Sequence, residues 1–219
     1  MRHEWRETSF RLAVDGFAVA PGERVLLVGE SGGGKSTLLS LACGVLRADA
    51  GRVLVEGTDL GALREAARDR LRAERFGVIF QMFNLLPFAT ALDNVLLPLR
   101  FAKRRRAQAG REEARALLDR LRVPEDAWTA KAARLSVGQQ QRVAAARALI
   151  GAPALVLADE PTSALDPATA AEFMDLLRAE LARTGATLLM VSHDPALASH
   201  FDRTVRLSDV ARAERRAAA

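Results

Sequence analysis

The sequence predicts an α/β fold: a mostly parallel β-sheet covered on both faces by helices, with an α-helical subdomain inserted into it. Three observations carry this reading. Short continuous apolar runs, RVLLVG (24–29), GVIF (77–80), LVLA (155–158) and TLLMVS (187–192), have the character of buried parallel strands. Helical patterns alternate with them. From Thr90 to about Leu149 only helical patterns occur, broken at Ala109-Gly110, at Val123-Pro124 and around Leu135.

In chain order, FRLAV (10–14) and GFAVA (16–20) read as short strands, and Pro21-Gly22 as a turn into RVLLVG. A glycine-rich loop precedes a helix from Lys35 to about Leu46. GRVLVEG (51–57) reads as a strand, and LGALREAARDRLRAERF (60–76) as a helix before GVIF. After the helical middle, LVLA, a helix from about Pro167 to Arg183, TLLMVS and a last strand TVRL (204–207) return to the alternating pattern. The 219 residues suit one domain: a core over about 1–89 and 150–207, the helical insertion over about 90–149, and a low-complexity tail, 208–219, that frays.

Hydrophobic residues make up 49% of the chain, enough for a sizeable core, and the net charge is +5. The charges are interspersed, so the basic excess selects no partner by itself. The basic run KRRRAQAGR (103–111) has no aromatic residues interleaved for base stacking. It reads as a solvated loop and helix start, with anionic lipid headgroups as the alternative, and nucleic acid is not expected. The single cysteine, Cys43, excludes an internal disulfide and lies in an apolar helical pattern, as a buried inert thiol would. No signal segment and no run of 18 apolar residues is visible, so a cytoplasmic, soluble chain is expected.

GESGGGKST (29–37) fits G-x-x-x-x-G-K-S/T between an apolar strand and a helix, the context that gives this motif its meaning. Gly32, Gly33 and Gly34 let backbone N–H groups converge on phosphate oxygens without side-chain obstruction. The helix N-terminus adds the positive end of its dipole. Lys35 supplies a point charge for the terminal phosphates, and the Ser36 hydroxyl suits Mg²⁺.

LVLADEP (155–161) places Asp159 and Glu160 at the C-terminal end of a buried strand, the edge where open parallel sheets bind ligands. Asp159 is the candidate for holding Mg²⁺ through its outer sphere, and Glu160 for activating the attacking water. His193, after TLLMVS, and Gln81, after GVIF, fall at the same edge. His193 is placed to contact a γ-phosphate; the Gln81 amide is placed to ligate Mg²⁺ or hold the water. A further stretch, LSVGQQQRVAAARAL (135–149), is unusually polar for the start of an otherwise apolar helix.

These motifs form a set. In order and spacing, GESGGGKST, Gln81, LSVGQ (135–139), VLADEP, SALD (163–166) and His193 resemble the nucleotide-binding domains of ATP-binding cassette (ABC) transporters, from about Trp5 to Leu207. The resemblance implies an ABC-type P-loop NTPase core with a small N-terminal antiparallel β part. It implies an ATPase with ATP and Mg²⁺ as cofactors. Gly29, Ser31, Gly32, Gly33, Gly34, Lys35, Ser36 and Thr37 would bind ATP. Ser36, Gln81 and Asp159 would bind the metal, and Glu160, His193 and Gln81 would serve catalysis.

It also implies a dimer with a second copy of the chain. Ser136, Gly138 and Gln139 of one copy would meet the ATP of the other, and Asp166 would couple the two sites. Gln140, Gln141 and Arg142 would brace the turn. Val137 stands where glycine is the family's commonest residue. Trp5 is the candidate for stacking on adenine, with Phe10 as the rival, though a place in FRLAV suits a core residue.

FGVIFQMFNLLPFATALDNVLLPL (76–99) looks most like the lipoprotein-releasing, macrolide-exporting and cell-division branch. There the ATPase is a separate chain that powers a membrane permease. The permease would dock near Gln81 to Leu99 and hold the chain on the inner face of the membrane. The alternative is an ATPase that drives a non-transporting membrane signalling partner. A soluble ABC protein of DNA repair would need a long coiled coil or a second cassette, and neither is present.

Overall fold

The computed structural model describes residues 1–5, 10–30 and 32–215. The chain opens with an antiparallel pair, β1 (Arg2–Trp5) and β2 (Phe10–Val14), in register from Arg2 opposite Ala13 to Trp5 opposite Phe10. β3 (Arg24–Val28) leads through the glycine-rich loop into α1 (Lys35–Ala42). β4 (Leu54–Val55) and β5 (Thr58–Asp59) form a small hairpin, and α2 (Glu65–Arg75) runs directly into β6 (Phe76–Ile79).

The helical insertion comprises α3 (Ala91–Leu96), α4 (Lys103–Gln108), α5 (Arg111–Arg120) and α6 (Val137–Leu149) with intervening 3₁₀ turns. β7 (Leu155–Asp159), α7 (Pro167–Thr184), β8 (Thr187–Ser192) and β9 (Arg203–Arg206) complete the core. The short α8 (Leu207–Val210) then leads into β10 (Ala211–Arg215).

Among the described residues, the parallel strands pair in the order β6-β7-β8-β3-β9. Successive strand residues point to opposite faces, and each face has its own core. Leu26, Val156, Ala158, Leu188 and Met190 pack with α7 and the insertion, while Val25, Leu27, Leu157, Leu189 and Val191 pack with α1 and β2. β3, β6, β7 and β8 are therefore buried on both faces, as their continuous apolar runs require, while the edge strand β9 is largely exposed.

Four local expectations are corrected. Residues 208–215 do not fray: they turn through α8, and β10 pairs with the edge of β2 that β1 leaves open, Ala211 opposite Val14. Residues 16–20 form no strand. Their backbone groups are taken by side chains instead, Ala18 O accepting from Arg203 and Ala20 N–H donating to Glu23, while Phe17 and Val19 pack on the core. α1 stops at Ala42, not near Leu46, because Gly44 adopts φ 69° and its N–H closes on Leu41 O. In 51–57 only Leu54 and Val55 pair; Glu56 and Gly57, at φ 48° and 79°, make the tight turn to β5.

Candidate functional site

β3 delivers the phosphate loop. Its residues Val25, Leu26 and Leu27 are buried, and at its end the Gly29 N–H donates to Ser192 O at the end of β8. Gly32 and Gly34 take φ 77° and 99°, the left-handed region that favours glycine. A Cβ on Gly34 would press on Phe10 and Leu12, so the loop lies directly over β2. Gly34 caps α1 without a side-chain bond, which leaves the first N–H groups of the helix for a ligand. Ser31 and the side chain of Trp5 lie outside the described residues. Phe10 is half-buried against the core and the loop.

Lys35 is buried, and its Nζ donates to Gly29 O at 2.7 Å and Glu30 O at 3.0 Å, and lies 3.0 Å from Glu160 Oε1. The other Glu160 oxygen, Oε2, is 2.7 Å from His193 Nδ1. Three residues far apart in sequence thus meet at one sheet edge. Burial pushes the Glu160 carboxyl up, but its bonds to Lys35 and His193 outweigh this and hold it below the usual carboxylate range. Glu160 itself sits at φ 43°, strained for a residue with a side chain.

Asp159 behaves oppositely. Burial pushes its carboxyl up against the opposing pull of Ser36, and the adjacent Glu160 adds to the rise. A half-buried carboxylate beside a hydroxyl, with the nearby ammonium bonded elsewhere, is a set of hard oxygen donors short of positive charge. That chemistry fits Mg²⁺. Gln81 is exposed just beyond β6, next to β7, and among the described residues it makes no hydrogen bond to Lys35, Asp159, Glu160 or His193.

The LSVGQ segment is built separately. Ser136 caps α6, its Oγ accepting from Gln139 N–H, while Gln139 Oε1 accepts from Ser136 N–H. This capping box commits the Gln139 side chain to its own helix. Gln140 Nε2 donates to Leu135 O, Gln141 Nε2 to Pro161 O, and Arg142 to Arg122 O and Glu172. Each of these side chains therefore has a bracing partner in its own chain, although Gln141 Oε1 is buried without one among the described residues. Val137 is exposed, and beyond the neighbouring residues and the backbone of α6 itself no atom lies within 4 Å of where a Cβ on Gly138 would stand. No hydrogen bond joins Ser136–Gly138 to the phosphate loop of the same chain among the described residues. Asp166 caps α7, accepting from Ala168 N–H, Thr169 N–H and Thr169 Oγ1.

Sequence reasoning missed one part of this surface. A cavity of about 390 Å³ lies beside β6, lined by Phe76, Pro98, Phe101, Arg105, Arg147 and Ala148 among others, with the Phe101 ring exposed. Arg105 is not solvated with the rest of its basic run. It is 2% exposed and donates to the carbonyls of Ala73, Phe76, Ala148 and Ile150. The spacing Ala102, Arg105, Ala109, all buried, was the available signal.

Comparison with known proteins identifies the family. Residues 13–163 match the family model described as ABC transporter. The chain belongs to that family. It is 47% identical over 193 residues to the lipoprotein-releasing system ATP-binding protein LolD 2 of Rhodospirillum rubrum, covering 88% of this chain and 83% of that one. It is 44% identical to the macrolide export ATP-binding/permease protein MacB of Chromobacterium violaceum over 88% of this chain but 29% of that longer one. Among solved structures it resembles the dimeric, post-hydrolysis ATP-binding cassette MJ0796 bound to ADP and Pi, with TM-score 0.81, 38% identity and coverage of 92% and 89%. This ABC chain is an ATP-binding subunit and an ATPase. No helix among the described residues is long and apolar enough to cross a membrane.

Proposed function

We propose that two copies of the chain close head to tail over ATP, each phosphate loop facing the LSVGQ helix start of the other copy, and that the dimer powers a separate membrane permease of the lipoprotein-releasing type. The observation that carries this is Gly138. Its backbone needs no left-handed φ and nothing crowds its Cβ position, so its own chain gives no reason for glycine there. Close approach from outside the chain does. The exposed Val137 beside it suits the same contact.

In this reading Lys35 and the α1 N-terminus take the ATP phosphates. Ser36, Asp159 and the Gln81 amide hold Mg²⁺, which when bound offsets the charge on the phosphate oxygens. Glu160, kept ionised by Lys35 and His193, accepts the proton of the attacking water. His193, half-exposed and bonded to Glu160, orients that carboxylate and faces the γ-phosphate. Asp166, at the start of α7, couples the two sites. The permease seats against Gln81–Leu99 and the adjoining cavity beside Phe101, which would place the subunit on the inner face of the membrane. That partner's class rests on the likeness to LolD-type subunits.

Glu160→Gln tests the core of the proposal. ATP turnover should fall by about 100-fold or more, while ATP binding persists and a nucleotide-trapped dimer accumulates in size-exclusion chromatography. A variant that turns over at the wild-type rate would remove Glu160 as the base.

A further inference from the structure

We infer that Gln141 is a positioning residue for Glu160, fixing the backbone of the base from the same helix whose N-terminus meets the second copy. The inference rests on the reading of Glu160 as the base.

The turn that carries Glu160 is strained and has few ways to be held. At φ 43° a residue with a Cβ persists only if its surroundings over-determine it. Pro161, which follows, has no N–H to donate. The turn is anchored by Glu160 N–H donating to Val191 O at 3.0 Å and by Ser163 N–H donating to Glu160 O at 3.2 Å. A further anchor comes from α6: Gln141 Nε2 donates to Pro161 O at 2.7 Å. An acceptor carbonyl requires the NH₂ end of the amide, so the orientation of the Gln141 side chain is fixed by chemistry.

Stability alone does not account for this glutamine. Gln141 is 0% exposed, and its Oε1 is buried with no hydrogen-bond partner among the described residues. A buried amide bonded at one end only is a poor stabiliser; an apolar side chain of similar shape would pack as well. What the amide contributes is position. It lies five residues after Ser136 in α6, about 7.5 Å along the helix axis. The helix start offered to the partner's nucleotide and the turn bearing this chain's own Glu160 are thereby joined by one side chain.

The test uses the full chain with Gln141→Leu, Gln141→Met, and each combined with Glu160→Gln. Both single variants should lower kcat for ATP about tenfold or more, the scale of a misplaced reacting group. KM should stay within about twofold, since uniform binding is untouched, and thermal midpoints near wild type, since losing the bond to Pro161 O is offset by removing the unpaired buried Oε1. The double variants should trap nucleotide as Glu160→Gln alone does. Unchanged kcat overturns the inference. So does a loss of trapping parallel to the loss of turnover, or unfolding of both single variants, because Gln141 would then be a structural residue. Wild-type turnover by Glu160→Gln alone would instead sink the base assignment, whatever the Gln141 variants do.

Discussion

Lys35 Nζ lies 3.0 Å from Glu160 Oε1, and both groups are buried. The ammonium is matched by a carboxylate and by two loop carbonyls within its own chain. Lys35→Ala removes the cation that the phosphates need and leaves the carboxylate with only His193. ATP affinity should drop about 10- to 100-fold, the worth of a charge-assisted bond, as read by fluorescent-nucleotide titration. Tight binding by the variant would count against the phosphate-loop assignment.

Ser136→Arg should abolish ATP hydrolysis while monomer nucleotide binding stays within about twofold, because among the described residues Ser136 makes no bond to its own phosphate loop. The lost helix cap costs about 1 kcal/mol, or roughly 2–4 °C in thermal midpoint for a chain of this size. Loss of binding together with hydrolysis would mean that the segment acts within its own chain.

Arg105→Met leaves the Ala148, Ile150 and Phe76 carbonyls without their shared donor. We expect a loss of about 3 kcal/mol, seen in urea unfolding. Burial pushes the Arg105 pKa down to about 10. Its folded pKa lies below the unfolded one, so the burial penalty is constant below pH 10 and fades only as pH rises from there. The difference between variant and wild type should therefore be the same at pH 6 and pH 8. A difference that changes over that range would contradict the assignment.

Arg24 and its backbone N–H hold Asp202 down to about 2. A depressed carboxylate adds stability that is complete above its unfolded value of 3.8 and is lost as pH falls through 2. The pair is exposed, so screening limits it to about 0.5–1 kcal/mol. Asp202→Asn should lose that amount at pH 6 and only a small fraction of it at pH 2, and 1 M salt should shrink the difference. An equal loss at both pH values would assign the effect to packing.

The parallel sheet was legible because strands buried on both faces must be apolar throughout, as in TLLMVS. The site was legible where chemistry restricts residue type: the loop glycines, Lys35, and the carboxylates at a strand end. Pairings set by distant partners were not. β1 carries His3 and Glu4, with no apolar alternation, and exists because β2 offers an edge. Ala211–Arg215 looks like low-complexity tail and pairs for the same reason. Arg105 and Gln141 are polar in sequence, and only the fold reveals which carbonyls they serve.

α6 ends where β6 begins its approach to Gln81: a Cβ on Gly77 would collide with the Ala148 carbonyl oxygen, so strand and helix meet backbone to backbone. The thirteen residues of α6 make a rod about 20 Å long. One tip carries Ser136, Gln141 grips the turn of Glu160, and Arg147 and Ala148 at the far tip wall the groove beside Phe101. With no side-chain cushion at Gly77, tilting this rod moves the strand with it. In the proposed dimer, a load applied in the groove and a nucleotide held at Ser136 would therefore act on the two arms of a single crank.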